Sequence, residues 1–282
     1  MRPFLPVVLL ALGACSGADL PVDSDGDGLF DADEIALGSD PQSWDTDGDG
    51  LGDQREVNLG LDPTSPDTDD DKYTDRDELF EGTDPLDPDS RIYTGGWPYY
   101  FDKGSLLGGS TSQTYEEGKR FGRFKFVDQY GEEVNLFDFY NADKPVVIDV
   151  SALWCDPCNK LADWIGDEGD PLGFNSIWPT GAETVRKSKV YWVSIIGEGA
   201  SRGVVATPDD AVAWSDRHPV KKIPVLADPD YMAVDYVRLS AWPTLILLEP
   251  DLKVSERHSP NCESWEGSYV HVLCELNEQF GE

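Results

Sequence analysis

The chain has 282 residues, room for two modest domains, and its 39% hydrophobic content with nine Trp is enough to build at least one core. Asp and Glu outnumber Lys and Arg 55 to 22, giving a formal net charge of -33, and Asp dominates from Asp19 to Asp89. Such a surface has few cations to replace phosphate counterions, which excludes nucleic acid as a partner and disfavours direct adsorption to anionic membranes.

At the N-terminus, Arg2 precedes the apolar run FLPVVLLALGA. The run is too short to cross a bilayer comfortably as a mature helix, and residues 1–14 read as an export signal. Its end, LGAC at Leu12–Cys15, resembles the lipobox of bacterial lipoproteins. That resemblance implies cleavage before Cys15, diacylglycerol on its sulfur, and a lipidated tether over residues 15–22 that anchors the protein to a membrane. Ser16 follows the cysteine where inner-membrane lipoproteins often carry Asp, which points to the outer membrane of a bacterial cell envelope, on its periplasmic or surface face.

Residues 23–90 repeat. DSDGDGLFDADE, DTDGDGLGDQRE and DTDDDKYTDRDE begin at Asp23, Asp45 and Asp67, a period of 22 residues. Each copy has Asp at its first, third, fifth and ninth positions and Glu at its twelfth. The candidate ligands are Asp23, Asp25, Asp27, Asp31 and Glu34, then Asp45, Asp47, Asp49, Asp53 and Glu56, then Asp67, Asp69, Asp71, Asp75 and Glu78. Alternating carboxylates can converge on one hard cation that takes about six to eight oxygens, so Ca2+ is the expected ion. Gly28 and Gly50 occupy the sixth position, where a sharp turn favours positive φ, whereas Lys72 replaces it in the third copy. The third site is therefore expected to be the weakest. A short helical turn ending at Gly before Asp-Pro follows each loop, and Asp40, Asp62 and Asp84 are further candidate ligands. The period leaves no room for two full EF-hand helices, and the pattern resembles the thrombospondin type 3 repeat. That resemblance implies a calcium-cored stalk with little hydrophobic core of its own.

Residues 91–114, rich in Gly, Ser and aromatics, read as a linker, with Trp97, Tyr99, Tyr100 and Phe101 as packing residues. Strands and helices alternate through residues 115–282, the pattern of an α/β fold with a central mixed sheet flanked by helices. RFKFVDQYGEEVNLFDF reads as a hairpin, and PVVIDVSAL and KVYWVSII as buried strands. CNKLADWI, TPDDAVAWSDRH and DYMAVDYV read as helices, IPVLAD, TLILLE and LKVSERH as strands, and SYVHVLCELNEQF as a last helix.

Between the first buried strand and the helix after it stand Cys155 and Cys158. A CxxC in this position can carry electrons, hold a metal or staple the chain. It resembles the thioredoxin-like fold, and the opening GKRFGRFKFVDQYGEEVNL resembles the TlpA/ResA-type exported thiol–disulfide oxidoreductases. The helix N-terminus favours Cys155 as thiolate, the attacking species, with Cys158 one turn further in and more shielded. The resemblance implies a cis proline at Pro243, in SAWPTLILLE, facing the cysteines. It also aligns Asp149 with the buried Asp of thioredoxins, a proton acceptor for Cys158 whose pKa burial would raise. Trp154 is expected to shape the docking surface with Pro243. Substrates would be protein disulfides or dithiols, with a separate thiol electron donor or acceptor and no cofactor for the redox step. Asp156 beside Cys155 opposes thiolate formation and points to a reductant. Residues 166–188 are longer than the usual connection, and SAL lacks the family's aromatic lead-in.

Cys262 and Cys274 are expected to form a structural disulfide in an exported protein, or else to stay reduced and buried. Zinc is the rival for the CxxC, but the remaining candidates, Cys262, Cys274, His258 and His271, form no second tight pair. A peroxiredoxin would need Pro and Thr or Ser at spacings absent before Cys155. The non-enzymatic alternative is a calcium-dependent surface or adhesion protein whose thioredoxin-like domain only binds partners.

Overall fold

The computed structural model describes residues 21–106, 115–220, 222–265 and 269–280. The expected signal over 1–14 and Cys15 lie outside them, and among the described residues no helix is long and apolar enough to cross a membrane. The chain separates into two compact units, Met1–Asp70 with Thr74–Pro88, and Asp71–Tyr73 with Asp89–Glu282.

The first unit is built on three helices of seven residues, α1 (Asp31–Leu37), α2 (Asp53–Leu59) and α3 (Asp75–Glu81). Each starts at the ninth loop position and stops at a glycine in the left-handed region, Gly38, Gly60 or Gly82, which returns its N–H to the carbonyl of Glu34, Glu56 or Glu78. Two turns form where one was expected, because the last four positions of each loop are themselves helical. One repeat hands its start to the next. Asp27 Oδ2 accepts from the Gln54 amide at 2.9 Å, and Asp49 Oδ2 from the Arg76 amide at 3.0 Å. A carboxylate from the preceding loop thus caps the N-terminal turn of each following helix.

In the second unit, β1 (Lys125–Asp128), β2 (Glu133–Asn135), β3 (Val146–Ala152), β4 (Tyr191–Glu198), β5 (Val225–Ala227) and β6 (Thr244–Leu248) form one sheet in the order β2-β1-β5-β4-β3-β6. β3, β4 and β5 run parallel, and β6, β1 and β2 pair antiparallel to their neighbours. The helices are α4 (Asp156–Ile165), α5 (Gly181–Arg186), α6 (Pro208–Arg217), α7 (Met232–Tyr236) and α8 (Tyr269–Phe280). This is the mixed sheet flanked by helices expected of the thioredoxin-like fold. Alternation along β3 divides the core. Val146, Ile148 and Val150 pack with Phe121, Phe124, Phe137 and Tyr236, while Val147 packs with Leu161 and Trp164 of α4, Trp192 of β4 and Leu273 of α8. Leu161 and Trp164, three residues apart, are fully buried, which seats α4 on the sheet and fixes where its N-terminus emerges.

Two expectations are corrected. Residues 91–106 are not a spacer, because Tyr93 and Trp97 belong to the second unit's core together with Tyr73 from the third repeat. Tyr73 donates its hydroxyl to the Trp97 carbonyl at 2.8 Å, and Trp97 donates its indole N–H to buried Asp128 at 2.8 Å. The second unit therefore begins at Asp89, with Asp71–Tyr73 added, and not at residue 115. LKVSERH forms no strand: the chain turns through Leu252 at φ 59, and only isolated bridges join Val254 to Leu248 and Glu117, and Lys253 to Arg120. The long connection after α4 contributes α5, which packs against α4 and α8.

Buried Asp138 gathers the Tyr93 hydroxyl at 2.8 Å, the Lys103 ammonium and the Tyr100 amide. Burial pushes this carboxyl up, and the Lys103 charge and the donated hydrogen bonds oppose that shift. A hydrogen bond to a charged group contributes about 1.5–3 kcal/mol. Tyr93→Phe is therefore expected to destabilise the second unit by about 2 kcal/mol in urea unfolding; a loss below about 0.5 kcal/mol would show that this contact does not hold the segment.

Candidate functional site

Cys155 is the N-cap of α4, with Pro157 in the first turn, where a missing N–H costs nothing. Its Sγ accepts the Cys158 amide at 3.2 Å, and Cys155 and Cys158 are joined as a disulfide. When that bond opens, the same N–H and the positive end of a ten-residue helix face the freed Cys155 sulfur. Both cysteines are about 1% exposed, so in the disulfide form Cys155 is no more open than Cys158. Trp154 and Trp242 pack against this part of the core, with ring centroids 6.3 Å apart in a T-shaped pair. Trp154 donates its indole N–H to Glu198 at 2.6 Å, and the Arg202 guanidinium lies 4.5 Å over its ring. The Trp242–Pro243 peptide is cis, and Pro243 is buried at the start of β6, the strand beside β3.

Asp156 behaves differently from its expectation. It is exposed, and Lys160 one turn on holds its carboxylate at 2.7 Å, so its opposition to a Cys155 thiolate is partly cancelled. An exposed pair of this kind is weak, and the cancellation is incomplete.

Asp149 lies on β3, on the face that also carries Val147 and faces α4. It is 2% exposed. Ser151 donates to it at 2.6 Å, Ser194 at 3.2 Å, and the Trp192 indole reaches it at 3.4 Å. Burial pushes its carboxyl up from 3.8 to about 6, against the lowering effect of those three donors. Sequence reading missed Ser151, Trp192 and Ser194. The signal available was a pair of serines inside strands otherwise made of apolar residues.

Cys262 and Cys274 are also bonded to each other, tying the segment after β6 to α8.

In the first unit, the carboxylates of Asp23, Asp25 and Asp27 lie within 4.8 Å of one another, as do those of Asp45, Asp47 and Asp49. Glu34 and Glu56 are fully buried, and neither oxygen of either has a hydrogen-bond partner. Asp25 Oδ2 and Asp47 Oδ2 are likewise buried and unpartnered. Three orphaned carboxylate oxygens per loop, buried among further carboxylates, form an arrangement that a bound cation would satisfy. Burial, and then the neighbouring aspartates, push Glu34 up to about 7 and Glu56 up to about 8, the response of carboxylates without a counter-charge. The donor set is all oxygen, which fits Ca2+.

The ninth-position aspartates do something else. Asp31 takes the Ser24 amide and hydroxyl, both at 2.8 Å; Asp53 takes those of Thr46 at 2.8 and 2.7 Å; Asp75 takes those of Thr68 at 2.9 and 2.7 Å. Both oxygens of each clamp the second loop residue, so these three shape the loop, and Asp31 and Asp53 stand outside the close clusters of the first two loops. Asp40, Asp62 and Asp84 are exposed and accept amides two residues on, from Gln42, Thr64 and Leu86, which makes them turn formers.

Division of the chain places Asp67, Asp69, Asp75 and Glu78 in the first unit and Asp71 in the second. Asp70 and Lys72 hold φ of 62° and 91° where the first two loops have glycines, so the third loop carries backbone strain at two positions, of which only Lys72 was foreseen. Asp71 is buried, with Arg91 Nε 3.5 Å from its Oδ2, a positive charge next to a would-be ligand.

Residues 23–43, 45–66 and 67–88 match the bacterial TSP3 repeat. Among curated proteins no relative matches the chain. Solved structures similar to it include three bacterial proteins. The exposed lipoprotein thioredoxin of Streptococcus pneumoniae is 22% identical, with 56% of this chain and 99% of that one covered at a TM-score of 0.36. The thioredoxin domain of a thiol-disulfide oxidoreductase from Bacteroides vulgatus is 16% identical, with 61% and 99% covered at 0.35. A secreted disulfide oxidoreductase of Mycobacterium tuberculosis is 14% identical, with 56% and 96% covered at 0.36. The chain carries three bacterial TSP3 repeats followed by a unit of thioredoxin-like fold with a bonded CxxC at the start of α4.

Proposed function

We propose that this chain is an exported thiol–disulfide oxidoreductase that reduces protein disulfides through Cys155 and Cys158. It is held to the bacterial cell envelope by a lipid on Cys15 and displayed on a stalk stiffened by Ca2+. The observation that carries the redox reading is Cys155 Sγ bonded to Cys158 at a helix N-terminus and accepting an amide N–H, with Pro243 directly before the adjoining edge strand.

In the reducing direction, the Cys155 thiolate attacks one sulfur of a substrate disulfide. The substrate S–S bond breaks, one substrate sulfur leaves as thiolate, and the other stays bound to Cys155. Cys158 loses its proton, with Asp149 as acceptor, and attacks Cys155 Sγ. The mixed disulfide breaks, the second substrate sulfur leaves, and Cys155–Cys158 closes into the bonded form seen here. Two electrons pass to substrate, and an external thiol donor restores the dithiol. The same atoms run the reverse reaction, so the direction depends on reduction potential and partner. A potential as high as that of the strong periplasmic oxidants, about -120 mV, would overturn the reductant reading. Alkylation of reduced protein tests the reactivity claim. At neutral pH Cys155 is expected to be alkylated several-fold faster than free cysteine, and parity with free cysteine would refute it.

Asp149 gives a paired expectation. Its pKa is about 6 folded against 3.8 for the ordinary group, so the folded chain holds the extra proton between those values. The stability this confers is complete below pH 3.8 and is lost as pH rises to about 6. Removing the charge in Asp149→Asn should raise unfolding stability at pH 7 by up to about 3 kcal/mol, less whatever the exchanged hydrogen bonds cost. The same change should slow resolution of the mixed disulfide by about tenfold or more, with the deficit shrinking as pH rises towards the Cys158 pKa. An unaltered resolution rate would remove Asp149 from the mechanism.

In the first unit, Asp23, Asp25, Asp27 and Glu34 would hold one Ca2+, and Asp45, Asp47, Asp49 and Glu56 a second. The third loop would bind more weakly, given its strained Asp70 and Lys72 backbone and the Arg91 charge beside Asp71.

A further inference from the structure

Beyond the cysteines, the loop that presents them is gripped from below by one side chain. Asn159, the residue after Cys158, turns its amide back under the loop. Its Nδ2 donates to the Cys155 carbonyl at 2.7 Å and to the Leu153 carbonyl at 3.1 Å, and its backbone N–H also reaches the Cys155 carbonyl at 3.1 Å. Its Oδ1 accepts from Arg217 Nη1 at 3.0 Å and faces His218 Nε2 at 3.1 Å, at the C-terminal end of α6. Arg217 Nη1 also approaches the Leu153 carbonyl, at 3.4 Å. One turn on along α4, Asp163 Oδ1 stands 2.8 Å from His218 Nδ1, out of line for a hydrogen bond. His218 is 6% exposed, and burial lowers its pKa ahead of the raising effect of Asp163.

We propose that Asn159 is a positioning residue for the redox step, and that Arg217 acts on the Cys155 sulfur through it. The carbonyls of Leu153 and of Cys155 itself put partial negative charge into the loop that carries the nucleophile. Donors from Asn159 and the guanidinium behind it draw that charge away. They also fix the N-cap turn so that Sγ keeps the Cys158 N–H in reach. Both effects favour the Cys155 thiolate, hence the reduced form. Loss of Asn159 therefore moves the couple towards the disulfide and makes the protein a stronger reductant. This inference rests on the reading of Cys155 as the redox nucleophile.

The test is the equilibrium constant of the full-length, calcium-loaded protein against reduced and oxidised glutathione. Asn159→Leu, similar in volume but without donors, is expected to shift it about three- to tenfold towards the disulfide. Asn159→Ala, which admits water, should move it in the same direction by less. Arg217→Met should shift it about two- to threefold alone and by less in the Asn159→Leu background, where the part of its effect that passes through that amide is gone and only its 3.4 Å approach to the Leu153 carbonyl remains. Urea unfolding of each oxidised variant supplies the control: a purely structural role lowers stability and leaves the glutathione equilibrium where it was. Constants within twofold of the wild type for both Asn159 variants, or a shift towards the dithiol, overturn the proposal. Failure of the wild type itself to equilibrate with glutathione would instead overturn the redox reading beneath it.

Discussion

Cys155→Ser should abolish reduction of insulin disulfides by the second unit, a loss of at least about a thousandfold, while Cys158→Ser should stop the reaction half-way. A serine hydroxyl in place of Cys155 is hardly ionised at neutral pH and cannot be the attacking sulfur, so no first bond forms. In Cys158→Ser the first step survives. Cys155 still attacks, the substrate disulfide still breaks, and the mixed disulfide persists because nothing displaces it. That variant should accumulate adducts with substrate proteins that dissolve on adding a small thiol, which also provides a route to the substrates. The difference between the variants follows from geometry: only Cys155 sits at the N-cap, with the Cys158 N–H on its sulfur. Equal alkylation of both cysteines in the reduced protein, or turnover by Cys155→Ser above the uncatalysed rate, would contradict it.

Much of this was visible in the chain because local pattern and tertiary environment agree there. PVVIDVSAL becomes β3 since a run of β-branched residues suits a strand buried on both faces, and α4 starts where Cys155, Pro157 and the spacing of Leu161 and Trp164 place it. The period of 22 residues survives as three helices of equal length with matching glycine ends. What escaped has a common physical form. Asp at the ninth loop position is the right residue type for a ligand and equally for clamping a Ser or Thr, and only side-chain direction separates the two. Tyr93 and Trp97 lie in a Gly-rich stretch without periodicity, so nothing local announces that Asp138 and Asp128 await them 45 and 31 residues away. The partners of Asp149 on β4 are set by strand register, which a single sequence does not express. LKVSERH alternates as a strand does, yet the left-handed turn at Leu252 brings it back against Leu248 by a single bridge.

Removal of Ca2+ with a chelator should unfold the repeats and leave the redox unit active. Among the described residues of the first unit, the buried hydrophobic side chains are Leu29, Leu51 and Leu61, far fewer than a segment of this length needs to offset its chain entropy. In the place of a core stand the buried, unpartnered oxygens of Asp25, Glu34, Asp47 and Glu56. Leaving such a charge uncompensated costs several kcal/mol, so without a cation these groups push the loops open. Because the cation would bind the folded loops and not the open ones, its binding energy is folding energy. Chelation should therefore abolish protease resistance between residues 23 and 70 and reduce helical circular dichroism, both restored by Ca2+ but not by Mg2+ at equal concentration. Glu56→Gln keeps the shape of the second loop but removes the charge of its twelfth position and leaves one ligand oxygen in place of two, so calcium affinity there should fall about ten- to a hundredfold. The first loop should feel this less, although the Asp27 cap on Gln54 couples the two repeats and predicts some loss of cooperativity. Insulin reduction by the chelated protein should match that of the calcium-loaded form, since the cysteines and Asp149 lie in the other unit. Circular dichroism and proteolysis that do not change after chelation would mean that the buried carboxylates are met by protons and that the repeats need no metal.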